Sequence, residues 1–157
     1  METAVAITLT PIGVMRCGLT TTAETPAFYD ESNEIGVIEI LPAYREAMTG
    51  MEVGQRIVVL FWLHQARRDL FKVYPRGDKS RGLRGVFTTR SPMRPNPIAL
   101  SEFTVVRLGE GEIEVVGVDV IDGTPVLDIK SAGKQRTEDR KREVEDRVPC
   151  HPYHENQ

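Results

Sequence analysis

Runs of five to nine β-forming residues recur along this chain, each closed by a glycine or proline turn, and that punctuation restricts the fold more than any other feature. Ala4–Leu9, Ile35–Ile40, Arg56–His64, Ala99–Arg107, Glu112–Asp119 and Val126–Lys130 read as strands, with Val14–Cys17 as a further short one. Pro11-Ile12-Gly13, Gly109-Glu110-Gly111 and Asp122-Gly123 are the turn signals between them. Arg56–His64 is almost continuously apolar, so the sequence predicts a central strand and the most buried element. Pro42 opens a short helical piece through Met48 that Gly50 ends. Short strands at this spacing roll or close on themselves; they do not form layers with helices.

The expectation is a mainly β, compact single-domain β-barrel over residues 1–132, with one short helix. Residues 133–157 are dense in charge and poor in apolar groups, and are expected to form a charged tail outside the core. A length of 157 residues suits a single core, and 40% hydrophobic content suits a packed one. No apolar run reaches the roughly 18 residues a membrane span needs, and the N-terminus lacks the pattern of a secretory signal. The two cysteines, Cys17 and Cys150, are far apart, which fits a reducing cytoplasm and no disulfide scaffold.

Charge is segregated. Residues 67–94 hold nine basic residues against Asp69 and Asp78, a local +7, so the remainder carries −10 to give the net −3. Such a concentration focuses a positive field on one place and suits a polyanion. Arg67, Arg68, Lys72, Arg76, Lys79 and Arg81 are the candidate RNA-binding residues, with Phe71 or Tyr74 available to stack on a base. No metal site is expected, because Cys150, His151 and His154 sit in the polar tail. No dinucleotide fingerprint, Walker loop or nucleophile elbow is present either.

The stretch Thr89-Arg90-Ser91-Pro92-Met93-Arg94-Pro95-Asn96-Pro97 is stiffened by three prolines, which also restrict the residue before each of them. Its two guanidinium groups are therefore preorganised donors for a carboxylate, a phosphate or a carbonyl. Downstream, the Asp122-Gly123 turn within Asp119–Lys130 either presents donors to a ligand or is an ordinary capped turn. His64 stands where a strand runs into the basic loop, so it is either a plain strand-end histidine or a binding group.

Pro11–Arg16, Phe61–His64, Gly85–Pro92, Arg94–Ser101 and Asp122–Lys130, met in this order, resemble the TsaA-like, TrmO family. The resemblance covers about residues 8–131. It implies a homodimeric β-barrel that binds S-adenosylmethionine and methylates N6 of threonylcarbamoyl-adenosine 37 in tRNA. It also implies cofactor contacts from Pro26, His64, Gln65, Arg90 or Arg94, Leu100, Asp122, Gly123, Thr124 and Pro125. His64 and Asp122 are the two candidates to accept the proton that the acceptor nitrogen must lose. Where the family's bacterial tRNA enzymes carry Pro-Arg-Gln, this chain reads Thr25-Pro26-Ala27-Phe28-Tyr29.

Overall fold

The computed structural model describes residues 4–21, 24 and 32–133. Among the described residues eight strands form: β1 (Gly13–Cys17), β2 (Ile35–Ile40), β3 (Arg56–Trp62), β4 (Lys72–Val73), β5 (Arg84–Gly85), β6 (Ile98–Gly109), β7 (Glu112–Val116) and β8 (Pro125–Ser131). Six of them close a barrel in the order β1-β2-β7-β6-β3-β8, while β4 and β5 pair as a small separate ribbon. Every neighbouring pair in the barrel is antiparallel.

Period-two alternation fills the interior. Met15, Ile38, Ile57, Val59, Phe61, Phe103, Val105, Ile113, Val115 and Val126 all point inward and are fully buried. Phe61 and Phe103 meet edge to face at 6.0 Å, a geometry that suits the aromatic quadrupole. Gly36 is small because a Cβ there would lie 2.7 Å from Met15 Sδ and 2.8 Å from Val118 Cγ2. The outer faces carry cross-strand ion pairs, Arg56–Glu102 at 2.8 Å and Arg107–Glu114 at 2.7 Å.

Four expectations need correcting. Ala4–Leu9 is not a strand: Val5 is 88% and Ile7 85% exposed, because the closed barrel leaves no edge for that segment to join. β3 ends at Trp62, not His64, since the Leu63 N–H turns away to the Pro97 carbonyl at 2.8 Å. Within β3 only alternate residues are buried, so its apolar run does not make it a two-sided core strand. β7 stops at Val116, where Gly117 takes a φ of 96° and the N–H groups of residues 117 and 118 both reach the Glu34 carbonyl. The short helix is a 3₁₀ helix over Pro42–Met48, matching the expected span. The proposed tail falls almost wholly outside the described residues.

The registers place one end of the barrel under a single cluster of connections. Cys17, Ile35, Trp62, Ile98, Val116 and Pro125 all terminate strands at that end. The segments 63–97 and 117–124 therefore leave from the same rim.

Replacing Phe61 by Ala removes the largest inward side chain of β3. It is expected to cost about 3–5 kcal/mol of unfolding free energy in urea titration; a loss below about 1 kcal/mol would mean that this ring does not organise the core.

Candidate functional site at one barrel end

The loop between β5 and β6 is held by its own side chains. Thr88 Oγ1 donates to the Gly85 carbonyl at 2.7 Å and Thr89 Oγ1 to the Val86 carbonyl at 3.0 Å. Arg94 Nη1 donates to the carbonyls of Thr89 and Ser91, each at 3.2 Å. From outside the loop, Arg68 Nε donates to the Pro95 carbonyl at 2.7 Å and Arg68 Nη2 to Asn96 Oδ1 at 3.2 Å, while its guanidinium lies 5.2 Å from the Trp62 ring centre. Two of the arginines expected to meet a ligand thus pin the loop to itself and to the barrel. Arg90, on the same stiff frame, has no hydrogen-bond partner among the described residues and is exposed.

A cavity of about 1300 Å³ opens between this loop and the β4–β5 ribbon. Its walls include Lys72, Arg76, Arg81, Arg84 and Arg90 together with Tyr74, Leu83, Phe87 and Met93. Lys72, Arg84 and Arg90 face no acidic partner within ion-pair distance among the described residues, unlike the arginines on the barrel wall. Phe87 is 83% exposed, an aromatic face set among cations. Of the candidate RNA-binding residues, Lys72, Arg76 and Arg81 line this cavity. Arg67 is held by Asp69 in a two-point pair (3.0 and 2.9 Å), and Lys79 lies outside the cavity wall in the 3₁₀ turn Lys79–Arg81. Phe71 is exposed outside the cavity, whereas Tyr74 belongs to its wall.

The remaining candidates sit at the barrel mouth. His64 and Gln65 occupy an exposed turn just after β3, tied to the loop through Leu63 and Pro97. Leu100, on β6, is exposed on the outer face opposite Leu60. The Asp122–Pro125 turn precedes β8 and closes on β1. The Asp122 N–H donates to the Leu19 carbonyl at 2.6 Å, the Gly123 N–H to the Met15 carbonyl at 2.8 Å and the Thr124 N–H to the Ile121 carbonyl at 3.2 Å. Asp122 Oδ1 accepts from the Cys17 N–H at 3.1 Å. The donors that a ligand was expected to use are therefore engaged within the chain. Gly123 takes a φ of 80°, the left-handed conformation this turn requires. Pro26 lies outside the described residues. Among those residues, no cluster of metal-ligating side chains occurs and no helix is long and apolar enough to cross a membrane.

The sequence reading passed over Asp119 and Ser101. Ser101 is fully buried on β6 and donates its hydroxyl to Asp119 Oδ1 at 2.8 Å. Burial pushes the Asp119 carboxyl up to about 6; the Ser101 hydrogen bond and the positive charge of Arg90 oppose that rise. One signal was available: Asp119 stands between inward-facing Val118 and Val120, just before the turn.

Because the folded-state value lies above the ordinary 3.8, Asp119 favours the fold while protonated. That contribution is full below about pH 4 and is lost as pH rises through about 6. Asp119→Asn should therefore be more stable than the wild type near pH 8, by on the order of 1–3 kcal/mol at most, with the gap closing towards pH 4. Thermal melts across that range check this, and a gap independent of pH would contradict it.

The fold and the site have counterparts. Residues 14–135 match the family model described as the tRNA-methyltransferase O N-terminal domain. A protein of Methanothermobacter thermautotrophicus named "Probable S-adenosyl-L-methionine-binding protein" is 43% identical over 124 residues, covering 79% of this chain and 88% of its own. The "S-adenosyl-L-methionine-binding protein" of Archaeoglobus fulgidus is 38% identical, covering 78% and 86%. A crystal structure of TrmO from P. aeruginosa superposes with a TM-score of 0.70 at 30% identity, covering 88% of this chain. A second crystal structure of TrmO gives 0.68 at 32%. The chain spans about three fifths of those two crystallised chains, 61% and 58%. With its barrel closed in that manner and its rim loops in that order, the chain belongs to the tRNA-methyltransferase O N-terminal domain family.

Proposed function

We propose that this chain is an S-adenosylmethionine-dependent methyltransferase acting on tRNA, with N6 of threonylcarbamoyl-adenosine 37 as the acceptor. The observation that carries the reading is the basic cavity beside the proline-rich loop, whose wall includes Arg90. On the mouth side, the exposed His64–Gln65 turn and the Asp122–Pro125 turn share the rim from which the loop departs, and Leu100 lies nearby on the outer face of β6. That set suits an amphiphilic ligand with a carboxylate for Arg90 and an adenine for an apolar surface. On the cavity side, Lys72, Arg76, Arg81 and Arg84 surround exposed Phe87 and Tyr74, a combination suited to phosphates and an unstacked base.

The cofactor would supply an activated methyl group on a sulfonium, already a good leaving group. The protein's part is then mostly alignment: the loop, stiffened by prolines and pinned by Arg94 and Arg68, holds its donors in place before any ligand arrives. His64 is the better placed of the two candidate proton acceptors, because the Asp122 carboxylate is occupied by the Cys17 N–H and lies 4.0 Å from Arg16. A homodimeric, cytoplasmic enzyme goes with this reading. A module that binds S-adenosylmethionine without transferring the methyl group is the second reading, favoured by relatives whose names record binding alone.

Labelled S-adenosylmethionine incubated with the protein and total tRNA, followed by nucleoside digestion, tests the assignment. Label on threonylcarbamoyl-adenosine supports it, label on another nucleoside moves the acceptor, and tight binding without transfer supports the second reading. For the RNA face, Lys72→Ala with Arg84→Ala should reduce the slope of log affinity against log salt by roughly 1.5, and an unchanged slope would remove those two residues from the interface.

A further inference from the structure

We propose that Phe87 is a base-stacking platform, and that it makes the basic cavity a site for single-stranded RNA, selecting an unpaired segment over a duplex. This rests on the reading of the cavity as the RNA face.

Phe87 is 83% exposed, and the 3₁₀ turn that carries it, Val86–Thr88, is firmly tied. Its neighbour Val86 is buried and takes the inward position. The Val86 N–H donates to the Phe71 carbonyl at 2.9 Å, the Thr89 N–H to the Val86 carbonyl at 3.1 Å, and Thr88 Oγ1 to the Gly85 carbonyl at 2.7 Å. A ring displayed on a fixed turn loses little freedom when a ligand covers it. Single exposed aromatics are common on protein surfaces, but this one shares a wall with Tyr74 and Leu83, which are also exposed. The same wall carries Lys72, Arg84 and Arg90, none of which forms an ion pair among the described residues. The cavity, at about 1300 Å³, exceeds the roughly 300–1,000 Å³ of a small-molecule site. It fits part of a polymer better than a metabolite.

Cations alone would accept any polyanion, because phosphate contacts carry no information about strandedness. The apolar surface of the same wall decides. An A-form duplex keeps its bases stacked on one another, so it would meet the cations and leave Phe87 and Leu83 in water. An unpaired strand offers both phosphates for the cations and free π faces for the ring. Every base has such a face, so the selection is for single strands and tolerates sequence.

Fluorescence anisotropy with the full chain, without S-adenosylmethionine, is the test. Labelled probes of about twelve nucleotides are compared: a single-stranded RNA of mixed sequence, that strand annealed to its complement, and a strand of equal length built from abasic riboses. The wild type should bind the single strand more tightly than the other two. Phe87→Ala should weaken single-strand binding roughly five- to hundred-fold, the worth of one stacked base. Its duplex and abasic affinities and its salt slope should stay as in the wild type, since no charge is removed. Phe87→Trp should keep the preference for the single strand. The wild-type comparison needs no variant and stands even if Phe87→Ala folds poorly. If the wild type binds the duplex or the abasic strand as tightly as the single strand, or if Phe87→Ala binds the single strand like the wild type, the proposal is overturned.

These affinities do not depend on methyl transfer. If transfer to tRNA fails while the single strand binds through Phe87, the methyltransferase reading falls and the stacking site stands. If transfer proceeds and Phe87→Ala keeps the wild-type KM for tRNA, the enzyme reading stands and the stacking site falls.

Discussion

Closure between β1 and β8 is the constraint on which the rest of the structure depends. Only Gly13–Val126 and Val14–Pro125 pair directly along this seam, far fewer than the seven residue pairs between β3 and β6. The seam is completed by the turn ahead of β8: the Met15 N–H donates to the Thr124 carbonyl at 3.0 Å, and the Gly123 N–H returns to the Met15 carbonyl at 2.8 Å. Backbone groups of Asp122–Thr124 are therefore structural first. Without them the sheet would keep two open edges and an unfilled core. Closing the seam also carries the 117–124 segment to the rim where β3 ends and β6 begins.

The same division of labour sorts the arginines. Those on the barrel wall are neutralised by glutamates on the neighbouring strand, as with Arg56 and Arg107. Arg68 and Arg94 fix the proline-rich loop, one from outside and one from within. Lys72, Arg84 and Arg90, around one cavity, form no ion pair among the described residues. Net charge says little about such a molecule. The useful quantity is which cations have already been matched, because an unmatched one keeps its field and its donors for a ligand.

Much of this was legible in the sequence, for physical reasons. β2, β6, β7 and β8 are bounded by turn signals and carry the period-two pattern that a half-buried strand needs, so their positions could be read within a few residues. Ala4–Leu9 has the same composition but no partner, and strand propensity without an open edge gives no strand. β3 misled in another way: Val58, Leu60 and Trp62 are apolar yet only half-buried, since a barrel wall has one inside face. For the site, the proline-arginine loop was visible because stiffness is written in proline. Which of its arginines faces outward was not, as that depends on carbonyl positions fixed only by folding. Asp119 was invisible for the same reason: its partners lie 18 and 29 residues away in sequence.

Asp119 also shows what burial costs a carboxylate at this rim. A carboxylate lodged in an apolar rim disfavours its own ionisation, and one hydroxyl does not offset the loss of water. An asparagine there could accept the same Ser101 hydrogen bond without carrying a charge. The loop supplies a stiff frame, and Arg68 and Arg94 are spent on holding it, which leaves the exposed Arg90 guanidinium without a bond to the loop carbonyls. Bonding Arg90 as Arg94 is bonded would make the loop more secure, and would leave the mouth without an available donor.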